Sequence, residues 1–195
     1  MEKPLHERSN EELWELFPVI LCAHDPAWAK RFERERALLE ETVGAGRAAR
    51  TSHIGSTAVP GLVAKPNIDI LLEIQNGIDL DVLLDAMRSL GYIHSPQPKN
   101  PPPHMMFLKG YTTEGFKGQA FHVHVRYPGD WDELYFRDYL AKHPEAAEEY
   151  GRLKLSLKER FEYDRDGYTD AKTDFVTRVI RLARAEFGGR YAHPA

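Results

Sequence analysis

A single cysteine among 195 residues, Cys22, leaves this chain without an internal disulfide and without the thiolates of a cysteine-rich zinc module. Its stability must come from a packed core, and a chain of this length can bury about 70% of its unfolded surface. No apolar run of about 18 residues is present, so no transmembrane helix is expected. Glu2, Glu7, Glu11 and Glu12 precede any apolar stretch, which is unlike a secretory leader. These absences make a reduced, cytoplasmic setting the expectation. Excess positive charge is missing too: 26 Lys and Arg face 30 Asp and Glu, a net charge of −4. That balance carries no strong nucleic-acid-binding signal. It leaves room for a local pocket, since two or three placed cations suffice for a nucleotide or a phosphorylated small molecule. Sustained heptads are absent, which excludes a coiled coil and leaves the oligomeric state open.

What is present reads as α+β: a mixed sheet followed by a helical cluster. Neither a repeat nor a low-complexity linker divides the chain. Residues 1–18 form an N-terminal extension, with a short helix over 10–16 capped by Asn10. A single domain covers 19–190, its sheet core about 19–127 and its helical part about 130–187. Strands are expected at 19–23, 51–54, 67–74, 91–95, 104–108 and 120–127. After Asp25-Pro26, the spacing of Trp28, Phe32, Leu39 and Val43 puts one apolar face on a helix, with Lys30 to Arg36 (Phe32 apart) as a solvated face. Further helices are expected over 79–90 and 131–142, after His143-Pro144, and over about 169–187.

Asp69 is the anomaly. In the strand pattern, Ile68, Ile70, Leu72 and Ile74 face one way and Asp69, Leu71 and Glu73 the other. A carboxylate among such neighbours is costly unless it is paired or bound to a metal. Just before it, Gly55-Ser56-Thr57 ends a strand in small residues, where backbone N–H groups can approach an anion. Ser56 reads as a phosphate-contacting hydroxyl or turn cap rather than a nucleophile, because its surroundings are not a Gly-x-Ser-x-Gly elbow.

The run from His53 to Asp69 resembles the signature of the GrpB family, placed among predicted nucleotidyltransferases. Further matches are Asp25-Pro26 with Trp28 and Phe32, His122-Val123-His124-Val125, Phe136-Arg137-Asp138-Tyr139-Leu140 with His143-Pro144, Tyr150 with Leu153-Lys154, and Tyr168 with Ala171-Lys172. The resemblance spans about residues 19–187. It implies a nucleotidyltransferase-like mixed β-sheet core flanked by helices. It also implies a Gly-Ser turn that holds a nucleotide triphosphate and carboxylates that bind Mg²⁺. The chain departs from that pattern at the second carboxylate, which is Leu71. Glu73 lies roughly 13 Å beyond Asp69 at ~3.3 Å per residue, too far to share one cation with it.

Alternation places His122, His124 and Arg126 on one strand face. If that strand lies beside Asp69, the histidines can join Asp69 in binding a transition metal such as Mn or Zn. They can equally hydrogen-bond Asp69 or line a phosphate pocket. Gly55, Ser56, Thr57, Lys65, Arg126, Arg137, Lys154 and Lys172 are the candidate phosphate ligands; for each cation the alternative is an ordinary salt bridge. Tyr150 and Tyr168 read as core aromatics. Three functions follow: a metal-dependent transfer of an NMP group centred on Asp69, binding of a nucleotide or phosphometabolite without turnover, or phosphate cleavage by Asp69, His122 and His124 with a transition metal.

Overall fold

The structure is a computed structural model and describes residues 3–192. After a 3₁₀ turn at Leu5–Glu7, helix α1 (Asn10–Leu16) leads into α2 (Ala27–Val43), strand β1 (Ala48–Ile54) and a second 3₁₀ turn, Ser56–Ala58. Strand β2 (Asn67–Ile74), α3 (Leu80–Ser89), β3 (Ile93–Ser95), β4 (Met105–Thr112) and β5 (Gly115–Arg126) complete the sheet. Four helices follow: α4 (Asp132–Lys142), α5 (Pro144–Phe161), α6 (Arg165–Asp170) and α7 (Thr173–Phe187). The five strands lie in the order β1-β2-β5-β4-β3. Only β2 and β5 run parallel; the other neighbours are antiparallel. The mixed α+β architecture is as the sequence indicates, and no described helix is long and apolar enough to cross a membrane.

Alternation on the two central strands sorts the side chains. Ile68, Ile70 and Leu72 stand beside Phe121, Val123 and Val125 and pack under α2 and α3, where Trp28, Leu39 and Met87 are buried. Asp69, Leu71 and Glu73 stand beside His122, His124 and Arg126 on the opposite face, toward the C-terminal helices. The sheet therefore has an apolar side and a side on which polar groups gather.

Several expectations need correction. Residues 19–23 form no strand: one isolated bridge, Cys22 to Ala64, forms there, and Val19 N–H donates to Glu162 O instead of to a strand. The first helix is capped by Ser9, not Asn10, in a capping box: Ser9 Oγ accepts from Glu12 N–H and Glu12 accepts from Ser9 N–H. Glu35 is not on a solvated face but 8% exposed, accepting from Tyr92 Oη and Lys109 Nζ, each at 2.8 Å. The β4–β5 hairpin extends well past the expected ends. Gly110, at φ +88°, sits where the register shifts and its missing Cβ lets the Gln119 backbone come close, so the glycine forms a bulge instead of ending the strand. The expected helix over 169–187 is divided at Ala171-Lys172: α6 starts earlier, where Asp164 accepts from Gly167 N–H at 2.8 Å, and it closes with Lys172 N–H donating to Thr169 O.

Candidate functional site

Asp69 is held where three elements meet. Its β2 position is in register with His122 of β5 and with Ile54 at the end of β1. The chain leaves β1 through Gly55 at φ +70°, passing so close that any Cβ there would collide with the Asp69 carboxylate. Glycine is required here on both counts. His122 Nδ1 lies 3.1 Å from Asp69 Oδ1, and His124 Nε2 lies 3.8 Å from the same oxygen. Burial pushes toward the neutral acid, yet the two histidines hold the Asp69 carboxyl well below the usual carboxylate range.

His122 is committed on both sides. Its Nε2 is 2.6 Å from Tyr111 Oη and 3.4 Å from Asn67 Nδ2, opposite the Asp69 contact. Sequence reasoning missed Tyr111 and Asn67. The one available signal was Asn67, an amide opening an apolar strand directly after Lys65-Pro66.

A cavity of about 230 Å³ opens over this group. The Gly55-Ser56-Thr57 turn and Asp69 form one side; Lys65, Lys154 and Lys172 enter from the other. Lys154, from the middle of α5, is 3% exposed and donates to Ser56 Oγ at 2.9 Å and to Val63 O. Lys172 reaches in from the break between α6 and α7, its ammonium 4.2 Å from the centre of the Tyr168 ring. Lys65 approaches that ring at 5.2 Å, and Lys154 lies 4.6 Å from the Tyr150 ring. Tyr150 and Tyr168 are buried walls of the cavity as well as core aromatics. Among the described residues none of the three lysines forms an ion pair with a carboxylate.

Crowding and burial show in their basicity. Burial, with the charges of Lys172 and Lys65, lowers Lys154 to about 7. Burial, with Lys65 and partly offset by Asp69, lowers Lys172 to about 7. Burial and the nearby Arg165 lower Lys65 to about 8, again partly offset by Asp69. Burial brings His53 down to about 4, so it is neutral; its ring stacks on Phe32 and its Nε2 lies 3.0 Å from Thr57 Oγ1. Thr57, which also donates to Asn67 O, thus props the turn from inside.

Two expected cations stand elsewhere. Arg126, at the far end of β5, donates to Met105 O and Val125 O and lies over Trp131. Arg137 is paired with Asp138 at 2.7 Å and donates to His53 O at 3.0 Å. Glu73 is fully buried and taken by Arg50 and by Gly129 N–H.

The donors around Asp69 do not fit a divalent metal. Leu71, at the second carboxylate position, is fully buried against Ile54 and Leu134. Both ring nitrogens of His122 already have partners, and no three His, Cys, Asp or Glu side chains among the described residues are grouped to hold an ion.

On the other side of Gly55, Asp69 and Phe136 lies a larger groove of about 660 Å³. Ile54, Trp131, Val176 and Ile180 make it mainly apolar, with His124 and Asp69 at its floor. Its walls were not foreseen, because α4 and α7 contribute them from distant segments.

Comparison with known proteins places this geometry. The family described as GrpB protein matches residues 18–182. A UPF0157 protein of Pseudomonas aeruginosa is 40% identical over 162 residues, covering 83% of this chain and 66% of that protein. A dephospho-CoA kinase of Mycolicibacterium paratuberculosis is 28% identical over 188 residues, covering 85% of this chain but only 46% of that protein. The crystal structure of the conserved protein GrpB from Enterococcus faecalis superposes with a TM-score of 0.75 at 28% identity, over 86% of this chain and 99% of that one.

Proposed function

The chain belongs to the GrpB family, and on that premise we propose that it binds a nucleotide or another phosphorylated small molecule through the lysine cavity. The observation that carries this reading is the convergence of Lys65, Lys154 and Lys172 on one cavity, none of them in an ion pair with a carboxylate among the described residues. Crowding three unpaired ammoniums together, Lys154 buried and Lys65 and Lys172 half-buried, is unfavourable. An anion supplies the missing charge, and Ser56 Oγ adds a neutral contact beside it. The similar segment within a dephospho-CoA kinase is in keeping with a phosphate-bearing ligand.

Binding without metal-assisted turnover is the better-supported form of this reading. A nucleotidyltransferase-like step would place metal ions on paired carboxylates. Here Leu71 takes the second carboxylate position and His122 is held by Asp69 and Tyr111. Thermal-shift titration with phosphate esters, each with and without Mg²⁺, Mn²⁺ and Zn²⁺, tests this. Stabilisation by the anion alone supports the binding reading. Stabilisation only when metal and nucleotide are both present moves the conclusion to the transferase. A shift with metal alone, lost in His124→Ala, favours the hydrolase.

A further inference from the structure

The lysine cavity and the apolar groove share Gly55, Asp69 and Phe136, so they are neighbouring parts of one recess. At about 230 Å³ the lysine cavity is smaller than the ~300–1,000 Å³ of sites that enclose whole small molecules. The groove, at about 660 Å³, falls inside that range. A ligand held only by the lysines would thus leave most of its body outside, and the groove is where that body can go.

Charge narrows the choice. Three ammoniums against the Asp69 carboxylate leave a surplus of two positive charges when all are protonated. A phosphate monoester carries about −1.5 to −2 near neutral pH, which balances that surplus. A triphosphate carries about twice as much, and among the described residues no further cation lines the cavity: the nearby Arg165 donates to Phe17 O and Tyr111 Oη, and Arg126 and Arg137 are engaged elsewhere. The groove is also acidic at its mouth: Arg184 is shared between Asp130 and Asp132, and Glu133 beside them has no ion pair among the described residues, so further phosphates on the body are disfavoured there. Its Trp131 and Phe136 rings suit a planar apolar body.

We propose that cavity and groove form one bipartite site for a phosphate monoester, its phosphate among Lys65, Lys154 and Lys172 and its planar apolar body between Trp131, Phe136, Val176 and Ile180. This rests on the phosphate-binding reading of the lysines. It adds the number of phosphates and the character of the body.

Calorimetric titration of the full chain with inorganic phosphate, phenyl phosphate, AMP and ATP tests it. Phenyl phosphate and AMP should bind about ten-fold or more tighter than inorganic phosphate, because the body buries apolar surface, and ATP no tighter than AMP. Ile180→Glu should erase the advantage of the esters and leave inorganic phosphate unchanged; Val176→Ser serves if the first variant does not fold. Lys172→Met should weaken every anion. Esters that bind no tighter than inorganic phosphate, or that ignore both groove variants, overturn the bipartite site while the phosphate reading stands. Tighter binding of ATP than of AMP overturns the monoester assignment. If none of the four anions binds, the phosphate reading falls as well.

Discussion

Lys154 Nζ meets Ser56 Oγ at 2.9 Å across 98 positions of sequence. The contact fastens the middle of α5 to the turn after β1 and fixes one wall of the cavity. It satisfies a hydrogen bond but not the charge. Lys65 and Lys172 stand in the same cavity, also without an ion pair among the described residues, so the three charges work against one another.

Their burial and repulsion make stability depend on pH in a stated direction. Unfolded, each lysine keeps its proton to about 10.5; folded, Lys154 and Lys172 release theirs near 7 and Lys65 near 8. Across about pH 7 to 10 the unfolded chain therefore binds more protons, and stability rises with pH. The full penalty applies below that window. Urea unfolding at about pH 7 and pH 9 should show the wild-type chain gaining about 1 kcal/mol more than Lys172→Met over the interval. Equal gains in the two proteins would mean that Lys172 is not charged at a cost.

Anion binding should take up protons. At about pH 8, Lys154 and Lys172 are mostly neutral in the free protein, and a phosphate beside them restores their basicity. Titration with phenyl phosphate in buffers of differing ionisation enthalpy should report uptake of about one to two protons per ligand. Binding without uptake would separate the anion from these two lysines.

How much of this could be read in advance differed by element. Period-two alternation in β2 and β5 is strong, so the core face, the opposite face and the isolation of Asp69 were all legible. Residues 19–23 are apolar enough for a strand, but among the described residues no strand lies alongside them: Cys22 bridges Ala64 and Val19 N–H donates to Glu162 O. Glu35 was hidden in a charge run, because its burial depends on Tyr92 and Lys109 from other elements. The break before Lys172 has neither Gly nor Pro to mark it. That break aims Lys172 into the cavity; no spacing rule brings 65, 154 and 172 together, so Lys65 stands out by its place beside the Asp69 strand and Lys154 and Lys172 by the family resemblance.

Gly55→Ala should damage both stability and site. The added methyl faces the Asp69 carboxylate, and φ +70° is unfavourable for any residue with a Cβ. A loss of about 2 kcal/mol in chemical unfolding is expected, with weakened phosphate binding as Asp69 and Ser56 shift. A variant with unchanged stability would show that the turn can relax away from Asp69.

Arg50→Met should be costly for a different reason. Glu73 has no exposure, and Arg50 supplies its only countercharge among the described residues, with Gly129 N–H as its other donor. Removing one partner of a buried pair leaves the other uncompensated, at about 3 kcal/mol. The double variant Arg50→Met with Glu73→Gln should recover part of that loss, which a double-mutant cycle by urea unfolding would measure.

Asp69→Asn separates the metal-free site from a metal-dependent one. In the fold the Asp69 carboxyl lies below its ordinary range, so its contribution is present at neutral pH and is lost as pH falls through the folded value. The variant should be less stable near pH 7 by about 1–2 kcal/mol, because the charge-assisted bond from His122 becomes a neutral one. It should also lack this acid-dependent loss. Its affinity for inorganic phosphate should rise several-fold, because among the described residues Asp69 is the one carboxylate lining the cavity and it repels a second anion. Were Asp69 a metal ligand instead, the same change would abolish binding and make added Mn²⁺ or Zn²⁺ irrelevant. The two readings therefore move one number, the dissociation constant of phosphate, in opposite directions.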